Sequence, residues 1–138
     1  MDKTLSAKTN LSFIGCGVMA ESMIAGLLRE QIVGTKQIAA SHPREDRRAE
    51  LKKRYGIKVF GENARAAKAF SGANSVVVLC VKPQRMSGVL KDLSGSVGKG
   101  QLVISIVAGT TIDTISDALG NELVVRAMPN TPSQIGAG

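Results

Sequence analysis

The chain has 138 residues, 43% of them hydrophobic, which predicts one globular domain with a core of its own. No apolar run approaches the roughly 18 residues that a membrane-spanning helix needs. The polar residues 1–10 lack the apolar core of a signal peptide, so we expect a cytoplasmic protein without a membrane partner. The net charge of +7 suits nucleic acid, but only 3% of the residues are aromatic, so stacking on bases is not expected.

The first motif is a glycine turn after a short apolar run at residues 11–14. It reads Ile14-Gly15-Cys16-Gly17-Val18-Met19-Ala20, which fits the pattern G-x-G-x-x-A between a strand and a helix. Gly15 allows the tight turn, Gly17 lets the backbone approach a pyrophosphate, and Ala20 lets the helix pack close to the strand. The free N–H groups and positive dipole end of that helix are then expected to bind the phosphates.

Beyond the turn, β-rich runs alternate with helical patterns, which is typical of βαβ units. The predicted strands are residues 11–14, 37–40, 57–60, 75–81, 102–107 and 123–127, and the predicted helices include residues 18–30 and 63–70. The runs 75–81 and 102–107 are apolar on both faces, as in strands buried at the centre of a parallel sheet. The pattern predicts an α/β fold, a doubly wound Rossmann-type parallel sheet in a single domain, with ligands at the carboxyl ends of its strands.

The second helix has clear boundary signals. Pro43 suits its first turn and Gly56 its end. The basic residues around it are Arg44, Arg47, Arg48, Lys52, Lys53, Arg54 and Lys58. We interpret most of them as a solvated helix face, with Arg44 as the exception. Before the fifth helix, Thr110 and Asp113 have the spacing of an N-cap and its partner.

The end of the second strand indicates the cofactor. A domain selective for NAD places Asp or Glu there, about 20 residues beyond the third glycine, to bind the ribose 2′-hydroxyl. Here the position falls near Ser41, and no carboxylate occurs before Glu45. A hydroxyl, a helix N-terminus and the guanidinium of Arg44 favour a 2′-phosphate, so the sequence predicts NADP(H). His42, the single histidine, lies at the adenosine end and is expected to contact the phosphate side rather than act in catalysis.

Three further strand ends carry unusual residues. Lys82 beside Pro83 brings a cation near the cofactor, or is a surface lysine before a helix. Ala108 has little side-chain bulk, which leaves room for a nicotinamide ring or forms a tight turn. The prolines around Asn130 stiffen a polar loop. Cys16 and Cys80 make no disulfide framework and are typical of buried thiols, with a redox switch as the alternative.

Taken in order, these stretches resemble the N-terminal domain of pyrroline-5-carboxylate reductases over residues 11–138. The segments that carry the resemblance are the glycine turn with Met19-Ala20-Glu21, Val81-Lys82-Pro83-Gln84, residues 105–111, and above all Met128-Pro129-Asn130-Thr131-Pro132 leading into Gly136-Ala137-Gly138. The resemblance implies NADPH-dependent reduction of the cyclic imine 1-pyrroline-5-carboxylate to proline. A protonated imine accepts hydride without a covalent intermediate, so no catalytic acid–base residue and no metal ligand are predicted.

The resemblance also implies a site for each part of the ligands. By position, the pyrophosphate is expected to lie against Ile14, Gly15, Cys16, Gly17, Val18 and Met19, and the 2′-phosphate against His42, Pro43 and Arg44 beside Ser41. The adenosine ribose is expected near Asn63, and the nicotinamide along Cys80, Val81, Lys82, Pro83, Ile106, Val107 and Ala108. The imine is expected beside Asn130 and Thr131. The family often has Asn where this chain has Val18, so one polar contact near the phosphates is missing.

Family members continue past the position of Gly138 into a helical domain that forms the dimer and supplies much of the substrate pocket. We therefore expect a polar tail at residues 1–10, a dinucleotide-binding domain at residues 11–128 and a substrate-side loop at residues 129–138. Alone, such a chain binds NADPH but is weak or inactive, and it forms a homo-oligomer only with the helical domain. The alternatives are a free-standing NADP-binding module without catalysis, or a fold-related reductase of another imine or hydroxy acid.

Overall fold

Six β-strands alternate with five α-helices within residues 9–128, the part of the chain that the structure, a computed structural model, describes. The strands are β1 (Asn10–Ile14), β2 (Ile38–Ser41), β3 (Lys58–Phe60), β4 (Ser75–Leu79), β5 (Leu102–Ser105) and β6 (Val124–Arg126). The helices are α1 (Val18–Arg29), α2 (Glu45–Tyr55), α3 (Asn63–Ala67), α4 (Met86–Leu93) and α5 (Ile112–Leu119). Short 3₁₀ helices at Thr35–Gln37 and Pro83–Arg85 precede β2 and α4.

The strands lie parallel in one sheet, in the order β3-β2-β1-β4-β5-β6. β1 is central: Leu11 lies beside Ile38 of β2 on one side and beside Val76 of β4 on the other. The chain adds β2 and β3 outward from β1 and then returns to the other side of β1 for β4, β5 and β6. The predicted doubly wound Rossmann-type fold is confirmed. Its switch point, where ligands bind in such sheets, lies at the carboxyl ends of β1 and β4.

Two hydrophobic clusters pack against the two faces of the sheet. In one, Phe13 of β1 packs with Ile24 of α1 and Leu51 of α2, each at most 1% exposed. In the other, Leu79 of β4 packs with residues of α3, α4 and α5, including the fully buried Ile115. A central strand of such a sheet must be apolar on both sides, which accounts for the sequence of β4. Among the described helices, none is long and apolar enough to cross a membrane.

The prediction that the fifth strand is buried on both faces is wrong. In β5, Val103 is buried but Leu102 and Ile104 are only half-buried, and in the neighbouring β6 Val125 is 49% exposed. The cluster built by α1 and α2 contains residues of β1, β2 and β4, but within residues 9–128 it includes none of β5 or β6. An apolar run is compatible with one covered face, and the run alone does not reveal which helices lie over it.

Two predicted helix starts are also corrected. α2 begins at Glu45 with Arg44 as its N-cap, so Pro43 precedes the helix instead of lying in its first turn. The carbonyl oxygens of His42 and Pro43 accept hydrogen bonds from the Arg48 guanidinium (2.8 and 2.9 Å), which holds this loop outside the helix.

The second correction concerns α5. Its N-cap is Thr111, whose hydroxyl oxygen accepts a hydrogen bond from the Thr114 backbone N–H (3.1 Å), and not Thr110. At the other end the prediction from glycine is confirmed, because Gly120 has a left-handed backbone at φ 64. The same is true of Gly56 after α2, at φ 72.

Candidate functional site

The glycine turn lies between the ends of β2 and β4. Gly15 has a φ of +85, and a Cβ added there would lie 2.7 Å from Cγ1 of Val81, the residue that follows β4 and Cys80. The backbone N–H of Gly15 donates to the Ser41 hydroxyl oxygen at 3.0 Å. A left-handed backbone and a close neighbour together require glycine at this position. The turn is therefore held on both sides of the switch point.

Gly17 has different surroundings. It is the N-cap of α1 with extended backbone (φ −86, ψ −158), and a Cβ built there would meet no atom of residues 9–128 within 4 Å. No side chain of the described residues makes a capping hydrogen bond at this helix end, and Val18 is 66% exposed. Helix N-termini leave backbone N–H groups without internal partners and carry partial positive charge, so they bind anions. The open space at the Gly17 Cβ position and the free N–H groups beside it are the features that a bound pyrophosphate requires.

Ser41 connects three elements at the carboxyl edge of the sheet. It is 1% exposed, its hydroxyl accepts from Gly15, and it donates to the side-chain oxygen of Asn63 at 2.8 Å. The Asn63 amide nitrogen in turn lies 3.4 Å from a carboxylate oxygen of Asp92. The hydroxyl of Ser41 is thus used within the fold. We assign Ser41 to positioning the glycine turn instead of binding a 2′-phosphate directly, which differs from the role expected from the sequence.

The loop between β2 and α2 presents a cation at the same edge. The exposed Arg44 guanidinium makes two hydrogen bonds to the Asp46 carboxylate, Nε to Oδ1 at 3.1 Å and Nη2 to Oδ2 at 2.9 Å. The backbone N–H of Arg44 donates to Nδ1 of His42 at 3.1 Å. Burial, together with the positive charges of Arg47 and Arg44, lowers the pKa of His42. A neutral imidazole that accepts a backbone hydrogen bond is consistent with the non-catalytic role expected for His42.

Arg47 and Glu21 join the glycine turn to α2. The Arg47 guanidinium donates to the carbonyl oxygen of Cys16 (Nε, 3.3 Å) and to the Glu21 carboxylate (Nη2, 2.6 Å). Tyr55 donates to the same carboxylate at 2.6 Å, and Arg54 donates to it as well. The side chains of Arg47 and Glu21 are only 15% and 16% exposed. Burial alone raises the pKa of Glu21, but the hydrogen bonds from Tyr55, Arg47 and Arg54 outweigh it and hold that pKa below its usual value.

This contact was not predicted, because the charged residues around Arg47 are typical of a solvated helix face. A usable signal was present in the spacing. Arg44, Arg47 and Arg48 lie at positions i, i+3 and i+4 and so share one face at the start of α2. Two of them contact the loops at the strand ends, Arg47 through the Cys16 carbonyl and Arg48 through the carbonyls of His42 and Pro43. The Arg44 side chain instead bonds to Asp46.

The residues predicted along the nicotinamide path lie at the carboxyl ends of β4 and β5. The backbone N–H of Cys80 donates to Ile14 (2.9 Å) and that of Ile106 to Leu79 (3.1 Å), which keeps both loops beside β1 and β4. The residues of this path that are exposed are Lys82, Pro83 and Ala108, whereas Ile106 is half-buried. Val107 is 2% exposed and belongs to the core, so its side chain does not line the edge.

The two cysteines are free thiols in the structure. Burial raises the pKa of Cys16 to about 12, and burial also raises the pKa of Cys80 above its usual value. The thiolate is the reactive form, so thiols with raised pKa values are poor nucleophiles near neutral pH. This favours packing over the redox alternative. The residues expected at the imine, Asn130 and Thr131, lie outside the described residues, as do residues 1–8 of the polar tail and Pro129 and Pro132.

A comparison with protein families gives one match, over residues 10–109, to the family described as NADP oxidoreductase, coenzyme F420-dependent. A pyrroline-5-carboxylate reductase of Synechocystis sp. is 39% identical over 93% of this chain and 46% of its own length. The solved structure of a pyrroline-5-carboxylate reductase from Coxiella burnetii is 34% identical with a TM-score of 0.81, over 93% of this chain and 46% of that one.

A second solved structure, Plasmodium falciparum pyrroline carboxylate reductase with NADP bound, matches 94% of this chain and 45% of its own length, with a TM-score of 0.75. Its identity of 24% shows likeness of fold alone. The chain thus spans about half the length of the relatives it matches. The expectation of NADP(H) as cofactor agrees with the description of the family. The chain belongs to the family described as NADP oxidoreductase, coenzyme F420-dependent, and its predicted resemblance to the N-terminal half of pyrroline-5-carboxylate reductases is confirmed.

Proposed function

We propose that this chain binds NADPH at the carboxyl ends of β1 and β2 and is the cofactor-binding half of an enzyme that reduces 1-pyrroline-5-carboxylate to proline. The observation that carries the proposal is the open space at the Gly17 Cβ position, next to the uncapped N-terminus of α1. An anion placed there meets backbone N–H groups and the positive helix end without displacing a side chain. The resemblance to the reductases supports the choice of reaction.

The residues present would bind the two charged parts of NADPH at separate places. Gly15 and Gly17 shape the turn for the pyrophosphate, and Arg47 holds that turn through the Cys16 carbonyl. Arg44 stands after β2, where a guanidinium can form paired hydrogen bonds with a 2′-phosphate. The end of β2 carries Ser41 where an NAD-selective domain carries a carboxylate, so no side chain at that position repels the phosphate.

The reaction makes few demands on this half of the enzyme. When bound, NADPH supplies the hydride that reduces the imine carbon. The protein contributes position, since correct orientation of two reactants accounts for much of such a rate enhancement. Ala108 and Gly109 are exposed at the end of β5 and offer little side-chain bulk beside the nicotinamide. His42 lies at the opposite, adenosine end and plays no part in proton transfer.

The remainder of the assignment extends the same proposal. We divide the chain into a polar tail at residues 1–10, a dinucleotide-binding domain at residues 11–128 and a substrate-side loop at residues 129–138, in which Asn130 and Thr131 border the imine. A second domain, as in the longer relatives, completes the substrate pocket and the homo-oligomer. The protein is cytoplasmic and acts on a small molecule, without nucleic acid or membrane as partner.

The test is an imine-reduction assay with the 138-residue chain, with the Synechocystis reductase as reference under the same conditions. NADPH oxidation is followed by absorbance with 1-pyrroline-5-carboxylate present and absent. We expect the chain to bind NADPH but to turn over at least about 100-fold more slowly than the reference, because an incompletely positioned substrate loses about that much. Turnover equal to the reference would show that the pocket is complete within the chain, and failure to bind NADPH would refute the cofactor site.

A further inference from the structure

The Arg44 guanidinium at the start of α2 is bound by a carboxylate of its own helix. Both hydrogen bonds run to Asp46, two residues along the chain, and the two side chains are 67% and 74% exposed. The hydrogen bonds to Asp46 raise the pKa of Arg44 first of all, with smaller contributions from charge, including that of Glu50. Asp46 is therefore the main partner of Arg44 in the structure.

The neighbouring arginines do not share this arrangement. Arg47 bonds to Glu21 and to the Cys16 carbonyl, and Arg48 bonds to the carbonyls of His42 and Pro43. Releasing either would break contacts that connect α2 to the rest of the fold. Arg44 can leave Asp46 without such a loss, because this pair lies within one exposed turn of α2.

The geometry of the pair resembles the geometry of phosphate binding. A guanidinium offers two parallel N–H groups that fit a carboxylate or a phosphate equally well, and it cannot use the same pair for both. The carboxylate also lies at the N-terminus of α2, where the backbone N–H groups of Arg47 and of Asp46 itself help to lower its pKa after the larger effect of Arg44. A 2′-phosphate at the end of β2 needs the same guanidinium and the same positive helix end.

We propose that Asp46 is a specificity-determining residue that competes with the 2′-phosphate of NADPH for Arg44. The inference rests on the proposed function, since it assumes that NADPH binds at this corner. To form paired hydrogen bonds through Nε and Nη2 of Arg44, the 2′-phosphate of NADPH must displace the Asp46 carboxylate from those two atoms. NADH lacks the phosphate and binds without disturbing the pair. Asp46 therefore weakens NADPH binding selectively and narrows the preference of the chain for NADPH over NADH.

The experiment compares Asp46→Asn with Glu45→Gln in titrations of the 138-residue chain with NADPH and with NADH. Both variants remove one negative charge from the exposed first turn of α2, but Glu45 makes no ion pair in the part of the chain that the structure describes. For Asp46→Asn we expect the Kd for NADPH to fall about two- to fivefold, the range set by exposed ion pairs. The Kd for NADH should stay unchanged. Glu45→Gln should change the Kd for NADPH by less than half of the change that Asp46→Asn causes.

A double variant tests whether the effect passes through Arg44. In an Arg44→Ala background, Asp46→Asn should lose more than half of its effect on NADPH, because there is no guanidinium left to release. An undiminished effect there, an equal effect of Glu45→Gln, or no effect of Asp46→Asn on a chain that still prefers NADPH would overturn the inference and leave the cofactor site standing. Equal binding of NADPH and NADH by the unmodified chain would refute the proposed cofactor site as well. Circular dichroism of each variant confirms that the fold is intact.

Discussion

Gly15 and Gly17 lie two residues apart in the glycine turn, yet an added Cβ would meet different surroundings at each. At Gly15 it would overlap Val81 and strain a left-handed backbone, whereas at Gly17 it would enter open space. Gly15 is thus required by the fold itself, whether or not a ligand is bound. The second is required only if a ligand approaches the backbone, so the pair separates a structural role from a binding role.

We predict that Gly15→Ala lowers the free energy of unfolding by about 1–3 kcal/mol, the cost of a strained non-glycine backbone. Gly17→Ala should change it by less than about 1 kcal/mol, because alanine is a poorer N-cap but restricts the unfolded chain. The same Gly17→Ala variant should bind both NADPH and NADH at least about tenfold more weakly, since the Cβ enters the pyrophosphate space. Chemical denaturation and cofactor titration measure the two effects, and unchanged cofactor binding by Gly17→Ala would place the pyrophosphate elsewhere.

Arg44 is predicted to account for the choice between the two cofactors. Arg44→Ala should raise the Kd for NADPH roughly tenfold or more, because a charged pair of hydrogen bonds to the phosphate is lost. The Kd for NADH should hardly change, so the ratio of the NADH Kd to the NADPH Kd falls. Lys99→Ala, which removes the same charge at an exposed position before β5, serves as the control in the same titrations. A ratio that stays at its original value in Arg44→Ala would contradict the assignment of the 2′-phosphate.

Sequence patterns located the site residues better than they assigned their roles. The glycine turn, Ser41, Asn63 and Val81 were all predicted, and the structure brings them into contact. The hydroxyl of Ser41 donates to Asn63, which lies 22 positions away in the sequence. The residues around the end of β2 give no local signal for this contact. Arg47 was assigned to a solvated face for the same reason, because its partner Glu21 belongs to another helix.

At the scale of elements, Glu21 links α1 to α2 through its side chain. Its carboxylate accepts hydrogen bonds from Arg47, Tyr55 and Arg54 while mostly buried. We predict that Glu21→Gln lowers the free energy of unfolding at neutral pH by about 1–3 kcal/mol, the range for hydrogen bonds to a charged group. Glu122→Gln, an exposed carboxylate before β6, should have little effect in the same denaturation experiment.

The pH dependence of that difference follows from the lowered pKa of Glu21. A carboxyl group with a lower pKa in the folded than in the unfolded protein stabilises the fold. Its full contribution is present at pH values above the pKa of the unfolded state, and the contribution is lost as the pH falls through the pKa of the folded state. The gap in unfolding free energy between the original chain and Glu21→Gln should therefore be constant near neutral pH and shrink below about pH 4.5, the ordinary value for glutamate. A gap that widens on acidification would contradict this account of the carboxylate.

The start of α5 offers a second test on one element. Thr111→Ala should cost about 1 kcal/mol of unfolding free energy, because the Thr114 N–H loses its capping partner. Thr110→Ala, one residue earlier, is the matched control and should be close to neutral. A larger loss in Thr110→Ala than in Thr111→Ala would mean that the helix begins at the position predicted from the sequence and not where the structure places it.

Two of the errors among the elements, at α3 and at β5, have a common physical cause. The existence and order of the strands and of α1 to α5 follow from hydrophobic periodicity and from proline and glycine, which act locally. The end of α3 at Ala67, before the predicted residue 70, and the half-exposed face of β5 depend on distant partners. The Phe70 carbonyl, for example, accepts a hydrogen bond of 3.4 Å from Gln101, which lies 31 residues away.

At the scale of the whole molecule, the strand order places the described loops that were predicted to bind the cofactor at one edge of the sheet. β1 and β4 flank the switch point, so the loops after them face the same crevice as the end of β2. The sequence predicted this arrangement because parallel strands joined by helices have few possible topologies. The substrate residues predicted from the family resemblance, Asn130 and Thr131, stay a prediction because they lie outside the described part of the chain. The relatives that the chain matches are about twice as long.

The central claim is that NADPH binds with its pyrophosphate at the N-terminus of α1 and its 2′-phosphate at Arg44. The most direct measurement is a titration of the 138-residue chain with NADPH and NADH in parallel, followed by nucleotide fluorescence or calorimetry at fixed ionic strength. We expect saturable binding of both nucleotides, with a Kd for NADPH that is roughly tenfold or more below the Kd for NADH. Equal affinities, or binding of neither nucleotide, would contradict it.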